Sequence, residues 1–184
     1  ENGAGKTVIA NILSGYYEKT EGEIRVKGKL VHFRSPREGL AHGIAMVHQE
    51  LMLVPAFTVA ENIMMGLDVP LFSYDITSVE NRIRMLVERY GLQVDPKALV
   101  EDLSAGQQQR VEILKVLFHE PEVLLLDEPT ASLDPEVGDF VRTFLEEYKK
   151  EKKISILLAS HNMNEVTRLC KSVLMMKNGE IIDQ

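Results

Sequence analysis

Residues 124–129 read LLLDEP, and together with residues 3–7, which read GAGKT, they decide the fold of this chain. A short apolar run that ends in two carboxylates is typical of a buried strand with polar residues at its exit. A glycine-rich turn followed by lysine and threonine is typical of a loop that wraps phosphate groups at the start of a helix. The two segments together predict a site for a nucleoside triphosphate and its magnesium ion.

The glycine-rich turn matches the phosphate-loop pattern G-x-x-x-x-G-K-[S/T] at every position except the leading glycine, which would precede Glu1. We therefore expect the chain to be a piece of a longer protein that begins inside this loop. In such a loop Lys6 reaches the β- and γ-phosphates, and the hydroxyl of Thr7 binds magnesium. The alternative is an ordinary glycine-rich turn with a solvated lysine. The predicted nucleotide-binding residues of the loop are Asn2, Gly3, Ala4, Gly5, Lys6, Thr7 and Val8.

The composition is that of an ordinary globular chain, with 184 residues, 45% of them hydrophobic and 27% charged, and a formal net charge of −7. This acidic balance disfavours nucleic acid as a partner, because binding to a phosphate backbone requires a basic face. The single cysteine excludes an internal disulfide. No apolar run approaches the roughly 20 residues that span a bilayer, so any role at a membrane would be that of a peripheral protein.

Apolar strands and amphipathic helices alternate along most of the chain, which predicts an α/β fold with a mostly parallel sheet and helices on both of its faces. The stretch 51–103 shows only helical patterns, with capping boxes at 58–61 and 77–80. We therefore predict a nucleotide-binding core of residues 1–50 and 104–184 with a helical subdomain inserted at 51–103. Within the core, strands are predicted at 44–47, 123–126 and 154–159, and hairpins around Gly28 and Asn178-Gly179.

Polar residues follow the three core strands at their carboxyl ends. Gln49 follows the first strand, Asp127 and Glu128 follow the second, and Ser160 and His161 follow the third. Ligands of open α/β sheets bind at this edge, which is also where the glycine-rich turn belongs. The convergence of four elements on one edge favours a single site over four unrelated surface features.

Each of these polar side chains has a chemical role in such a site. Asp127 is a predicted magnesium ligand, and Glu128 is a predicted base that takes a proton from the attacking water. The amide of Gln49 can bind the metal or orient water, and His161 can donate a hydrogen bond to the γ-phosphate. The structural alternatives are an acidic pair that caps a helix, a loop amide and a histidine at a helix start.

Residues 103–107, LSAGQ, predict a second phosphate site. Ser104 and Gln107 form a capping box around Ala105 and Gly106, and this structural role would be sufficient to explain them. A helix N-terminus with a glycine in its first turn is also a site for anions. Because this segment is expected on the helical insertion, away from the first site, two phosphate-seeking surfaces suggest that two copies meet face to face.

On these residues and in this order, the chain resembles the nucleotide-binding domain of ABC transporters, a P-loop NTPase with a RecA-like core. Ala105 stands where the family signature has its first glycine, and the strands that carry an adenine-stacking aromatic in the family are absent. Residues 1–7 resemble the Walker A loop, Gln49 the Q-loop, 103–107 the LSGGQ signature, 123–128 Walker B, 131–134 the D-loop, and His161 the switch histidine.

The resemblance implies that ATP and Mg²⁺ bind between two such domains, either in one polypeptide or in a homodimer. Ser104 and Gly106 of one domain would face Walker A and Walker B of the other. Asp134, which is also predicted to cap the following helix, would contact the partner domain. Closure around ATP would then move transmembrane permease subunits, which implies a peripheral protein at the cytoplasmic face of the cell membrane.

A finer resemblance points to the ATPases of importers for simple sugars and nucleosides. Residues 31–36, 43–50, 53–55 and 58–62 carry this likeness, which implies a solute-binding protein as a further partner. These ATPases usually have two nucleotide-binding halves, and the chain would match the first half. Residues 131–134 and the tail from His161 look more like general ABC domains.

The residues leave three other functions open, namely an exporter ATPase, a soluble ABC ATPase that acts on the ribosome or on DNA, and a binding module without hydrolysis. The interval between Lys6 and Ser104 has no sustained heptads, which disfavours the DNA-repair type with its long coiled coil. Asp127, Glu128 and His161 are all present, which disfavours a loss of hydrolysis.

Overall fold

The computed structural model describes residues 4–65, 75–131 and 133–183, and it confirms the predicted α/β fold with a parallel sheet. Its elements, in chain order, are α1 Lys6–Ser14, β1 Ile24–Val26, β2 Lys29–Val31, α2 Pro36–Ala41, β3 Ile44–Val47, α3 Val59–Met64, α4 Ile76–Tyr90, a 3₁₀ turn at Val100–Asp102, α5 Ala105–Leu117, β4 Val123–Asp127, α6 Pro135–Lys152, β5 Ser155–Ala159, α7 Met163–Leu169, β6 Met175–Lys177 and β7 Glu180–Asp183.

The chain packs as two compact units. The first comprises Glu1–Gln49, Pro121–Ala131 and Leu145–Gln184, and the second comprises Glu50–Glu120 and Ser132–Phe144. This division differs from the predicted one after residue 103, because residues 104–120 and 132–144 group with the helical unit and not with the core. The reason is that α5 packs against α3 and α4 in that unit.

The central sheet of the first unit is parallel, with the order β3-β4-β5. Val47, Leu126 and Leu158 pair in one row, and Asp127 pairs with Ala159 one residue further on. The interior of β4 is fully buried, as expected for a strand that is covered on both faces. This register brings the carboxyl ends of the three strands to one edge, where the polar residues follow.

Two hairpins flank this sheet in the sequence of the first unit. β1 pairs with β2 across Lys27-Gly28, and β6 pairs with β7 across Asn178-Gly179. All four turn residues have positive φ, which is the geometry of the type I′ turn that suits a two-residue hairpin. The N–H of Gly179 donates to the carbonyl oxygen of Ala4 at 3.1 Å, so the second hairpin supports the loop that leads into α1.

A buried asparagine organises the start of the second unit. The side chain of Asn62 accepts from the N–H of Val54 at 2.7 Å and donates to the carbonyl oxygens of Val54 and Thr58 at 3.1 and 3.0 Å. Thr58 and Glu61 form the predicted capping box at the start of α3. The loop before α3 is therefore fixed by side chains at both the cap and the next helical turn.

The predicted capping box at 77–80 is wrong, because α4 begins earlier, at Ile76. Its N-cap is Asp75, whose Oδ1 accepts from the N–H of Thr77 at 3.0 Å and whose Oδ2 accepts from Ser78 Oγ at 2.9 Å. Thr77 therefore lies in the first turn of the helix, where its own side chain no longer acts as the cap.

Candidate nucleotide-binding site

The first contact of the site joins the phosphate loop to the exit of β4. Thr7 Oγ1 donates a hydrogen bond to Asp127 Oδ1 at 3.2 Å. Asp127 is only 3% exposed, whereas Thr7 is exposed. A buried carboxylate is costly unless it is paired or bound to a cation, and a carboxylate beside a hydroxyl offers the oxygen ligands that Mg²⁺ prefers. These two residues therefore fit a magnesium ion that also binds phosphate oxygens.

The N-terminus of α1 has the geometry of an anion-binding site. Gly5 is its N-cap in a left-handed conformation, with φ 92°, and the helix has neither a side-chain cap nor an acidic residue in its first turn. The first backbone N–H groups of a helix have no intrahelical acceptor, so those after Gly5 can bind phosphate. Lys6 and Thr7 open the helix, and Val8 follows them as an exposed residue. Asn2 and Gly3 lie outside the described residues, and Ala4 is buried.

Glu128 adopts a backbone conformation that is uncommon for a residue with a side chain. Its φ is 47°, in the left-handed region, and its N–H donates to the carbonyl oxygen of Ala159 at 2.9 Å. Non-glycine residues in this region are strained and are concentrated at functional sites. The turn directs the carboxylate of Glu128 to the residues that follow β5.

The side chain of Glu128 is held by the segment after β5. Its Oε1 accepts from the N–H of His161 at 3.1 Å and lies 2.7 Å from His161 Nδ1, while its Oε2 accepts from Ser160 Oγ at 3.3 Å. The Glu128 side chain is 12% exposed and that of His161 is 65% exposed. When Nδ1–H donates to Glu128, Nε2 accepts hydrogen bonds in the neutral ring and donates only in the imidazolium. A bond from Nε2 to a phosphate therefore requires the charged ring or the other tautomer.

Gln49 lies in the bend directly after β3 and is exposed. Its position at the carboxyl end of β3 brings it to the same edge of the sheet as Asp127. The structure thus brings Thr7, Asp127, Glu128 and His161 into direct pairs and places Gln49 on their edge of the sheet.

In the second unit, Ser104 and Gln107 form the capping box that the sequence predicts. Ser104 Oγ accepts from the N–H of Gln107 at 3.4 Å, and Gln107 Oε1 accepts from both the N–H and the hydroxyl of Ser104 at 3.0 Å. Ala105 opens α5 with helical geometry, so the replacement of the signature glycine causes no strain. A Cβ added to Gly106 would lie 3.0 Å from Val137, so this glycine allows α5 to approach α6 closely. Ser104 and Gln107 are both accessible at the N-terminus of α5.

Asp134 is exposed in the second unit and caps α6. Its Oδ1 accepts from the N–H groups of Glu136 and Val137 at 3.1 and 3.0 Å. The predicted capping role is confirmed by this geometry. The predicted contact of Asp134 with a partner domain stays a prediction.

A buried glutamate next to the site is not among the residues predicted from the sequence. Glu165, in the first turn of α7, is 1% exposed, and its carboxylate accepts hydrogen bonds from Thr130 Oγ1 and Ser160 Oγ. An acidic residue at a helix start is usually explained by the helix dipole and stays in solvent. Its spacing of four residues from the buried Leu169 on α7 is the signal that could have identified it.

None of the helices in the described part of the chain combines the length and the apolar character that crossing a bilayer requires.

A parallel sheet with a glycine turn at the start of α1 and a carboxylate at the exit of β4 defines a P-loop nucleotide-binding domain. Over residues 1–131 the chain matches the family model described as ABC transporter. The chain belongs to the ABC transporter family, as its motifs predict.

Relatives with curated names are import ATP-binding proteins. The nucleoside import ATP-binding protein NupA of Lactococcus lactis subsp. cremoris is 46% identical over all of this chain and 36% of its own length. The ribose import ATP-binding protein RbsA of Caldanaerobacter subterraneus subsp. tengcongensis is 42% identical over 100% of this chain and 37% of its own length. The guanosine import ATP-binding protein NupO of Bacillus subtilis is 42% identical over 98% and 35%, respectively. The chain therefore spans about a third of the length of these relatives.

Solved structures share the fold. The ATP-binding cassette MJ0796, in a dimeric post-hydrolysis state bound to ADP and Pi, superimposes with a TM-score of 0.83 at 24% identity, covering 100% of this chain and 81% of that one. The protein cbiO1 from Clostridium perfringens, part of the ABC transporter complex cbiONQ, gives a TM-score of 0.79 at 30% identity over 99% and 72% of the two chains. The described fold is thus that of an ATP-binding cassette.

Proposed function

We propose that the protein containing this chain is the ATP-hydrolysing subunit of an importer for nucleosides or simple sugars. It would act at the cytoplasmic face of the membrane, with transmembrane permease subunits and a solute-binding protein as partners. The observation that carries the proposal is the Thr7–Asp127 contact at 3.2 Å next to the Glu128–His161 pair at 2.7 Å. The names of the relatives NupA, RbsA and NupO support the direction of transport and the class of solute.

In the proposed mechanism, the triphosphate binds at the N-terminus of α1. The backbone N–H groups of the first helical turn and the Lys6 ammonium donate to the β- and γ-phosphate oxygens. Thr7 and Asp127 hold the magnesium ion, which neutralises charge on the phosphate oxygens when it is bound. Binding and orientation supply most of the catalysis of phosphoryl transfer, because the transferred group needs little covalent help from the protein.

The hydrolytic step uses the residues at the exits of β4 and β5. Glu128 accepts the proton of the attacking water while the new O–P bond forms and the bond between the β-bridging oxygen and the γ-phosphorus breaks. The hydrogen bonds from the backbone and ring of His161 hold the Glu128 carboxylate in one orientation. His161 also donates to the γ-phosphate when its Nε2 carries a proton, and Gln49 orients the water or binds the metal.

The site is completed by the α5 N-terminus of a second nucleotide-binding domain, from the same polypeptide or from another copy. Ser104, Ala105, Gly106 and Gln107 of that domain would bind the γ-phosphate, with Asp134 close to the contact. ATP then binds the closed pair more tightly than the open pair, and this difference in affinity drives the movement of the permease. The dimeric state of the MJ0796 cassette supports this arrangement.

The proposal is tested by uptake in cells from which the gene for the full-length protein has been deleted. We expect accumulation of a radiolabelled nucleoside or simple sugar to fall to background, and to be restored by the wild-type gene but not by a Glu128→Gln gene. Normal uptake of both solute classes in the deletion strain, with altered efflux or altered translation instead, would contradict the importer function and support the exporter or ribosomal alternative.

A matched pair of variants separates the two roles of Ser104. Asp and Asn are both good N-caps, so Ser104→Asp and Ser104→Asn should both preserve the melting temperature of the full-length protein. Only aspartate places a negative charge against the γ-phosphate, so the ATP concentration required for dimerisation should rise at least about tenfold further in Ser104→Asp than in Ser104→Asn. Equal ATP requirements for the two variants, measured by size-exclusion chromatography with light scattering, would mean that Ser104 acts only as a cap.

A further inference from the structure

The hydroxyl of Ser160 lies between two carboxylates of the first unit. Its Oγ is 2.8 Å from Glu165 Oε2 and 3.3 Å from Glu128 Oε2, and it accepts a hydrogen bond from the N–H of Asn162 at 3.0 Å. A serine hydroxyl has one proton and can donate it to one acceptor at a time. The shorter of the two distances is the one to Glu165, so Glu165 is the nearer acceptor of the Ser160 hydroxyl.

The burial of the Glu165 carboxylate needs a physical explanation. It is 1% exposed, and the side-chain partners of its carboxylate in the described part of the chain are two neutral hydroxyl groups, those of Thr130 and Ser160. Burying a carboxylate is costly, and hydrogen bonds offset this cost only when both of its oxygens are satisfied. The two hydroxyls do satisfy one oxygen each, Oε1 and Oε2.

The two donors of Glu165 come from the two strand exits that form the hydrolytic site. Thr130 follows Glu128 in the segment after β4, and Ser160 precedes His161 in the segment after β5. Glu165, on α7, therefore connects these two segments through its two hydrogen bonds. This tie adds to the hydrogen bonds that Glu128 makes with the N–H and the exposed ring of His161.

We propose that Glu165 is a positioning residue for ATP hydrolysis: through the hydroxyls of Thr130 and Ser160 it joins the exits of β4 and β5, which carry Glu128 and His161. This inference rests on the proposed role of Glu128 as the base. A base must lie within hydrogen-bond distance of the water from which it takes a proton, so a shift of the β4 exit relative to the β5 exit lowers the rate of hydrolysis.

The test replaces Glu165 by glutamine in the full-length protein, with ATP turnover measured over a range of ATP concentration. Glutamine has one carbonyl oxygen in place of two carboxylate oxygens, so it cannot accept the hydrogen bonds of Thr130 and Ser160 on two separate oxygens as Glu165 does. We expect kcat to fall about 10- to 100-fold, with the KM for ATP within about twofold of wild type, because the proposed phosphate ligands are unchanged.

Two further variants isolate the role of Ser160 as the link. Ser160→Ala should itself lower kcat, because the tie between α7 and the exit of β5 is lost. Adding Glu165→Gln to Ser160→Ala should then lower kcat no further, since the tie between the two strand exits is already broken when one of its two bonds is lost. Independent, multiplicative losses in the double variant would overturn the proposal. Should Glu165→Gln not fold, a wild-type kcat in Ser160→Ala overturns it equally.

Glu112→Gln is the matched control, because Glu112 is another glutamate that is 2% exposed and lies in the second unit. Its Oε1 accepts from the N–H of Met52 at 2.6 Å, and its Oε2 pairs with Lys115 at 3.2 Å, so Glu112→Gln measures what the loss of a buried, bonded carboxylate outside the site does to stability. A Glu165→Gln variant that lowers the melting temperature as Glu112→Gln does, with no selective change in kcat, would show a merely structural role.

The same experiment separates this inference from the proposed function. An inactive Glu128→Gln with a normal Glu165→Gln overturns the positioning role alone. A Glu128→Gln variant with normal turnover overturns the assignment of the base, and with it the reason for the Glu165 effect.

Discussion

Glu128→Gln in the full-length protein is expected to lower the rate of ATP hydrolysis by about 10²- to 10⁴-fold, the contribution of a positioned general base. Glutamine has the same shape: its carbonyl oxygen can still accept from the N–H of His161, and its NH₂ group can donate to Ser160 Oγ, so the local structure should survive. It cannot take up the proton of the attacking water. The measurement is steady-state release of phosphate at saturating ATP and Mg²⁺.

The same variant should retain ATP-dependent dimerisation, because Glu128 is not one of the proposed phosphate or metal ligands. Light scattering with and without ATP measures this, and the dimer should persist longer than in wild type, since hydrolysis no longer ends it. Turnover within a few-fold of wild type would refute the role given to Glu128.

Glu122→Gln is a matched control for this substitution, since Glu122 directly precedes the amino end of β4 and Glu128 directly follows its carboxyl end. The Glu122 side chain forms an exposed ion pair with Lys27 at 2.6 Å. Exposed pairs of this kind contribute about 0–1 kcal/mol, so neutralising Glu122 should leave both turnover and the melting temperature close to wild type. A comparable loss of turnover in both variants would mean that the effect is on the strand and not on the chemistry.

The parts of the fold that were predictable from sequence are those fixed by local chemistry. The apolar runs of β3 and β4 have no alternation because these strands are buried on both faces, and a parallel sheet follows from that pattern. Asn178-Gly179 predicts its hairpin because both residues tolerate the positive φ that a type I′ turn requires. Since the exits of parallel strands share an edge, Asp127 and His161 could be assigned to one site without coordinates.

The parts that were not predictable depend on competition between neighbouring N-cap residues or on packing between segments that are distant in sequence. Aspartate and threonine are both good N-caps. Asp75 is the cap here because its two oxygens accept hydrogen bonds from the N–H of Thr77 and from the Ser78 hydroxyl. Residues 104–120 follow the helical insertion directly in sequence, but only their packing against α3 and α4 assigns them to the helical unit. The burial of Glu165 depends on hydroxyls supplied by two separate segments, which no local pattern reports.

Asp127→Asn is the second variant for which we expect a large effect, and it tests the proposed metal site. Asparagine is nearly isosteric and can still accept the hydrogen bond from Thr7 Oγ1, so folding should be little affected. The change removes the negative charge next to the proposed Mg²⁺. Losing one partner of a buried charge pair costs about 2–5 kcal/mol, which corresponds to roughly 30- to 5,000-fold in kcat/KM for ATP.

The expected signature is a change in metal dependence and not only a loss of rate. The Mg²⁺ concentration for half-maximal ATP turnover should rise at least about tenfold in Asp127→Asn, because a hard cation binds an amide oxygen more weakly than a carboxylate. Asp95→Asn is the control, since Asp95 is an exposed carboxylate of the second unit that accepts from the N–H of Lys97 at 3.0 Å, a bond that asparagine retains. An unchanged Mg²⁺ requirement in Asp127→Asn, with turnover like that of Asp95→Asn, would remove Asp127 from the metal site and leave the Thr7–Asp127 bond as a structural contact alone.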